Sequence, residues 1–287
     1  MVSRLRDWLA GGPLITDGAW GTELQKRGLA PGAAPDFWNL SHPEQVEEVA
    51  RAYVEAGSQV ILTNTFRANS VATEGDCEAI NRAGVAISKR AAAGRALVFA
   101  SMGPTGKLLM AGETSAGEML AAFSAQASVL REAGADALLV ETMSDIEEAR
   151  LAVEAAKSTG LAVIVSFSFD NGRNKQRTLT GATPETVAAA MVEAGADGVG
   201  ANCGVGVEQA VLLCRRLRSA CELPVWIKPN AGLPKMEGTA LRYDVTAQSF
   251  AAHFSALRDA GAAFVGACCG STPDFIRALV SARCASS

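Results

Sequence analysis

The sequence predicts an α/β protein whose eight strands close into a (β/α)8 barrel, the TIM-barrel class, as a single domain over residues 1–287. Three observations lead there. Short apolar runs alternate with longer helical stretches along the whole chain. Several runs are apolar throughout instead of alternating. One helix-ending device recurs ahead of four of them. Strands that are apolar on both faces indicate parallel pairing under covering helices, and eight β–α units favour a closed barrel over an open sheet.

The runs fall at residues 14–19, 60–65, 97–102, 137–141, 162–167, 198–202, 225–229 and 264–267, with helical segments between them and one more after the last. The recurring device is Glu55-Ala-Gly57, Glu132-Ala-Gly-Ala-Asp136, Glu193-Ala-Gly-Ala-Asp197 and Asp259-Ala-Gly-Ala262. In each, glycine is expected to stop a helix in a left-handed cap before the chain turns into the next strand. Ala-Gly pairs are common in an alanine-rich chain, but four at the same kind of junction point to one repeated unit. No Pro/Ser/Gly-rich linker divides the chain, so no domain boundary is placed. Residues 28–43, 103–115 and 235–244 read as long loops after the first, third and seventh strands. Loops after strands lie on the catalytic rim of such a barrel.

Composition excludes several classes of function. Net charge is −4, and no Lys/Arg block or basic stripe suggests nucleic acid. Aromatic residues make up 6% of the chain, too few for base-stacking platforms. The N-terminal segment carries Arg4, Arg6 and Asp7 without an apolar stretch behind them, unlike a signal peptide. No apolar run approaches bilayer-spanning length. A cytoplasmic protein without membrane contact is expected. Seven cysteines form no secreted disulfide pattern, so the thiols are expected to be free or metal-bound. Cys77, Cys214, Cys221 and Cys284 read as ordinary small residues, as His42 and His253 do for their type.

The chemistry concentrates at three other cysteines. Cys268 and Cys269 are adjacent in Phe264-Val-Gly-Ala-Cys-Cys-Gly-Ser-Thr-Pro273, and Cys203 sits in Gly200-Ala-Asn-Cys-Gly-Val-Gly206. Each run is an apolar strand that stops at cysteine and meets glycine. The strands concerned are the sixth and eighth, with one neighbour between them, so their ends lie close in a small barrel. Cys203 taken alone reads as buried packing; the matched strand-end context shifts the reading toward metal. Three thiolates with a vacant fourth position describe a catalytic zinc centre, whereas a structural site would show C-x-x-C pairs and four ligands. Such a centre carries net charge −1. A thiol entering it would lose its proton and stay electron-rich enough to displace a methyl group from a cationic donor. A separation of Cys203 from the pair beyond about 8 Å, too far for two Zn–S bonds to bridge, would exclude this centre.

At these residues the chain resembles the homocysteine S-methyltransferase family, which includes betaine-dependent and S-methylmethionine-dependent enzymes and the homocysteine-binding module of cobalamin-dependent methionine synthase. The matching segments are Asp17-Gly-Ala-Trp-Gly-Thr-Glu-Leu24, Thr63-Asn-Thr-Phe66, Glu141-Thr-Met-Ser-Asp145, Gly200-Ala-Asn-Cys203, Lys228-Pro-Asn-Ala-Gly232 and Gly266-Ala-Cys-Cys-Gly270, in the family's order over nearly the whole chain. The resemblance implies Zn2+ on Cys203, Cys268 and Cys269, and methionine formed from homocysteine. It implies that Asp17 and Glu141 meet the homocysteine amino group, a charge-assisted contact. Backbone N–H groups near Gly18 and Ala19 are expected to take the carboxylate. Asp17 alone could also be a turn residue, and Glu141 a surface carboxylate. Asn202 and Asn230 flank the same rim, and either could order a ligand or pair with backbone.

The methyl donor is less legible. Betaine-using relatives place tyrosines where this chain has Arg67 and Thr142, and its only tyrosines are Tyr53 and Tyr243. That departure argues against an animal-type aromatic cage for a quaternary ammonium. Trp20 and Trp38 remain as donor-facing aromatics, although Trp38 could equally pack the first loop down. Arg67 would meet a donor carboxylate, as betaine, dimethylsulfoniopropionate and S-methylmethionine all carry. The expected function is transfer of methyl from such a small onium donor. Two alternatives stay open: a methyltransferase subunit working with a separate corrinoid protein, and a non-catalytic zinc or redox thiol protein. The C-terminus at Ser287 lacks the long extension of some relatives, so a monomer or weak homo-oligomer is expected.

Overall fold

The computed structural model describes residues 3–232, 235–237 and 240–285. Eight of its strands form the barrel: β1 (Leu14–Ile15), β2 (Val60–Leu62), β3 (Leu97–Met102), β4 (Ala137–Met143), β5 (Ala162–Phe167), β6 (Gly198–Asn202), β7 (Val225–Lys228) and, last in the chain, β10 (Ala262–Val265). All pair in parallel, in the order β1-β10-β7-β6-β5-β4-β3-β2. A parallel bridge between Thr16 and Val60 joins the two ends and closes the ring. Helices alternate with the strands, and the result is a single-domain (β/α)8 barrel. β1 is short because the chain leaves the sheet after Thr16 to build the rim.

Residues 235–244, expected as a plain loop, carry an antiparallel hairpin of β8 (Lys235–Glu237) and β9 (Ala240–Arg242). The expected loop 28–43 holds a 3-10 turn at Pro35–Phe37 and a short helix at Trp38–Ser41. His253, read as an ordinary residue, falls at the break between helices Ala247–Ala251 and Phe254–Asp259.

The helix-ending device is built as the sequence implies. Gly57, Gly134, Gly195 and Gly261 have φ of +97°, +97°, +80° and +93°, a region open to glycine at little cost. The aspartates that follow two of them also work. Asp136 Oδ2 accepts the Val98 amide at 2.7 Å and Lys89 Nζ at 2.8 Å. Asp197 Oδ2 accepts the Val163 amide at 3.0 Å and Lys157 Nζ at 2.7 Å. Each ties the incoming strand to its neighbour and to the helix that leads into that neighbour.

Two cores follow from the two faces of the strands. The larger lies between strands and helices. The smaller fills the barrel floor, where Phe99, Trp226 and Phe264 pack with ring centroids 5.2–6.1 Å apart. Helix Ser3–Trp8 closes this floor, with Leu5 fully buried and Trp8 5.5 Å from Phe99. Each such buried side chain contributes on the order of 1.5–3 kcal/mol. Gly200 on β6 makes room for Trp226 on β7, since an added Cβ would run into the Trp226 carbonyl. With its floor filled, the barrel can hold a ligand only at the opposite rim, where the strands end.

Candidate active site

Cys203 follows the last residue of β6 and has φ +57°, uncommon for a residue with a side chain. Three contacts hold that turn. The Cys203 amide donates to Lys228 O at 3.0 Å, Val205 N donates to Cys203 O at 2.6 Å, and Asn202 Nδ2 lies 3.6 Å from Cys203 Sγ. Asn202 also accepts from Thr142 N at 2.9 Å and Ser166 Oγ at 2.7 Å, and donates to Thr142 Oγ1 at 2.7 Å. It thereby fixes a second left-handed turn, Thr142 at φ +60°. Beyond β10, Cys268 N donates to Pro229 O at 2.7 Å and Ala231 N to Cys269 O at 3.0 Å. The strand between β6 and β10 thus registers both thiol-bearing loops.

Cys203 Sγ lies 2.8 Å from Cys268 Sγ, and all three sulfurs lie within 4.8 Å of one another. Among the described residues this is the one group of that kind. Two sulfurs sharing one zinc at about 2.3 Å each stand about 3.8 Å apart in a tetrahedron, so the cluster fits the ion after the closest pair opens by about 1 Å. The cysteines are only partly buried, which leaves one side open to the cavity. Hydrogen bonds from Cys203 and then Cys268 pull the Cys269 thiol down to about 3. Hydrogen bonding within the cluster and burial hold Cys203 well above the ordinary thiol range. The cluster thus holds a thiolate at Cys269 hydrogen-bonded by two thiols, and a soft divalent cation would displace the thiol protons on binding.

The cysteines line a cavity of about 470 Å³ together with Gly18, Ala19, Trp20, Glu141 and Lys228, a size usual for small-ligand sites. Glu141 Oε1 accepts from Ser101 Oγ at 2.5 Å. Burial pushes its carboxyl up to about 7, against the pull of the Lys228 ammonium. Asp17 ends in a tighter network. Its Oδ1 meets Lys228 Nζ at 2.5 Å, and its Oδ2 accepts from Trp20 Nε1 at 2.7 Å and Leu62 N at 2.8 Å. The Ala19 amide donates to Ser271 Oγ at 3.0 Å, and Tyr53 OH donates to Ala19 O at 2.7 Å. An added Cβ on Gly18 would fall 2.7 Å from the Tyr53 ring, so this turn requires glycine.

Four expected site residues are absent from the cavity lining: Asp17 and Asn202, which are buried behind the wall, and Arg67 and Trp38, which lie away from it. Arg67 is exposed and absent from the lining, because its amide donates to Asp36 Oδ1 at 2.8 Å and turns the chain outward there. Trp38 stacks on His42 with centroids 4.3 Å apart and packs against the outer core. Asn64 serves the first loop, donating to Pro35 O at 2.8 Å. Asn230 keeps a buried Oδ1 without a partner.

Several residues at the site were not singled out from sequence. Lys228 quoted within a motif had no role, although a lysine ending an apolar strand was the available signal. Asp36 lines the cavity, and burial raises its carboxyl to about 6 in spite of the Arg67 amide. Phe66 and Tyr243 also line it, and an added Cβ at Gly270 would run into the Tyr243 ring.

The model of the family described as Homocysteine S-methyltransferase matches residues 14–283. The methionine synthase of Mycobacterium leprae is 31% identical over 98% of this chain, and that of Mycobacterium tuberculosis 30% identical over 97%. The chain spans about a quarter of the length of these curated relatives, 25% in each case. Among solved structures, the metallated form of the homocysteine methyltransferase MmuM from Escherichia coli is 25% identical with a TM-score of 0.80, covering 96% of this chain and 99% of that one. No helix among the described residues is long and apolar enough to cross a membrane.

Proposed function

The chain belongs to the homocysteine S-methyltransferase family, and on that footing we propose that it methylates homocysteine to methionine at a zinc centre held by Cys203, Cys268 and Cys269. The observation that carries this reading is the three-sulfur cluster opening onto a rim cavity that also holds a buried carboxylate and a buried ammonium. Zinc, when bound, would supply a cationic centre that takes up the acceptor thiol as a thiolate nucleophile.

The protein's own groups then orient the reactants. Asn202, 3.6 Å from Cys203 Sγ, donates toward a ligand sulfur and holds its turn. Glu141 stands at the cavity wall for the acceptor's amino group. Asp17 acts at one remove, because Lys228, Trp20 and Leu62 already engage its carboxylate. On the donor side, Trp20, Phe66 and Tyr243 offer ring faces and Asp36 a carboxylate, a lining that favours a small onium cation. Displacement from an onium removes charge from the leaving atom, so no general acid is required. Direct transfer needs sulfur and methyl about 3–3.5 Å apart.

The match to one quarter of two methionine synthases supports a second reading, a module that receives its methyl group from a separate corrinoid protein. One assay divides the two. Zinc-loaded protein is given homocysteine with betaine, dimethylsulfoniopropionate or S-methylmethionine, and methionine is measured. Product with one of them is expected; none with any would transfer the weight to the corrinoid reading.

A further inference from the structure

Lys228 closes β7 at the centre of the site, between the two loops that carry the thiols. Its carbonyl takes the Cys203 amide at 3.0 Å, and the next carbonyl, of Pro229, takes the Cys268 amide at 2.7 Å. Its side chain is 3% exposed, lines the cavity and crosses Gly266, where an added Cβ would fall 3.1 Å from Lys228 Cγ. An ammonium carries three N–H donors. Among the described hydrogen bonds it uses one, to Asp17 Oδ1.

The neighbouring groups narrow what that ammonium can meet. Asp17 has both oxygens engaged, so it anchors the lysine and leaves no room for a second cation. The Ala19 amide, one of the backbone donors that could hold a carboxylate, is bound to Ser271 Oγ. Lys228 is then the one buried cation among the described lining residues, and Glu141 stands at the same wall as a buried carboxyl, with a second carboxyl, Asp36, contributed by the first loop. A wall with both signs matches an α-amino acid head group, whose ammonium and carboxylate sit on one carbon.

We propose that Lys228 is the specificity-determining partner of the acceptor's carboxylate, held in place by Asp17, while Glu141 faces the acceptor's amino group. The proposal rests on the reading of this cavity as a thiol-acceptor site. It narrows the acceptor to thiols that bear a carboxylate, with the zwitterionic amino acid preferred. A lysine serving only to neutralise Asp17 would make no such distinction among thiols.

The test is calorimetric binding to zinc-loaded protein, with zinc content checked in every sample. Three thiols serve as probes: homocysteine, 4-mercaptobutyrate (no amino group) and 3-aminopropanethiol (no carboxylate). In Lys228→Met, affinity for the two carboxylates should fall about tenfold to a hundredfold, the usual range for one hydrogen bond to a charged group. Affinity for 3-aminopropanethiol should hold or improve. Equal loss for all three, or no loss, overturns the assignment. Lys228→Met strands a buried Asp17 and could fail to fold, so Asp17→Asn/Lys228→Met is made alongside it; a retained preference for carboxylates in that pair of changes is equally fatal. Wild type that binds all three thiols alike defeats Lys228 alone, whereas wild type that binds none while fully zinc-loaded defeats the acceptor reading itself.

Discussion

Cys203 Sγ lies 2.8 Å from Cys268 Sγ although 65 residues separate them in the chain. That approach exists because β7 lies between β6 and β10 and supplies backbone acceptors to both cysteine loops. Removing any one of Cys203, Cys268 or Cys269 leaves two ligands, too few to retain the ion against solvent. Each Cys→Ala variant should lose bound zinc and methyl transfer together. Cys214→Ala, a buried cysteine on the outer face, should keep both. Metal analysis beside a methionine assay checks this, and turnover by a metal-free variant would refute the centre.

Asn202 offers a gentler perturbation of the same centre. Its amide fixes Thr142 and points toward Cys203 Sγ without being one of the cluster sulfurs. Outer-shell partners of metal ligands are commonly worth about ten- to a hundredfold in affinity. Asn202→Ala should therefore lower zinc affinity by roughly that factor while the barrel stays folded. Competition against a chromogenic chelator measures it; unchanged affinity would confine Asn202 to shaping the Thr142 turn.

The barrel and the thiol cluster were legible because each is encoded locally. An apolar run, a glycine-stopped helix and a strand-end cysteine can each be read within ten residues, and the closed topology then brings distant strand ends together. What depended on the direction of a side chain after the strand ended was not legible. Arg67 follows β2 as Lys228 ends β7, yet Asp36 accepts the Arg67 amide and that side chain is exposed. Lys228 turns inward because residue 266, on another strand, is glycine. The Asp17–Lys228 pair spans 211 residues, and no periodicity reports which charge at a rim neutralises which. Trp38 was ambiguous for the same reason, and the stacking partner that settled it is His42.

Asp36 gives the protein a pH-dependent cost. Burial raises its carboxyl from 3.8 to about 6. The folded state therefore holds this proton more tightly than the unfolded chain does. The stability it contributes is complete below about pH 4 and lost as pH rises through 6. A shift of 2.2 units, 6 minus 3.8, corresponds to at most about 3 kcal/mol. Asp36→Asn keeps an acceptor for the Arg67 amide and removes the titration. Measured by urea unfolding between pH 4 and 8, wild type should lose ground to the variant from about pH 4 to 6 and run parallel above 7. A constant difference across that range would mean that Asp36 titrates alike in both states.

Gly266 joins stability to the site. An added Cβ there would run into Thr16 Oγ1, approach the Asp17 carbonyl to 2.7 Å and the Lys228 stem to 3.1 Å. The Asp17 carbonyl accepts the Ala267 amide at 3.2 Å and cannot retreat without loosening the β1–β10 seam. Gly266→Ala should therefore destabilise the protein by about 1–3 kcal/mol, the usual range for overpacking. Gly117→Ala is the matched control. It is an exposed helical position with nothing within 4 Å of the new atom, where alanine should be neutral or mildly stabilising. The destabilised variant should also bind homocysteine more weakly than its remaining folded fraction accounts for, because the lysine that crosses Gly266 is displaced from the cavity wall. Wild-type stability in Gly266→Ala would show that the strand end yields, and that close approach at this position does not set the direction of Lys228.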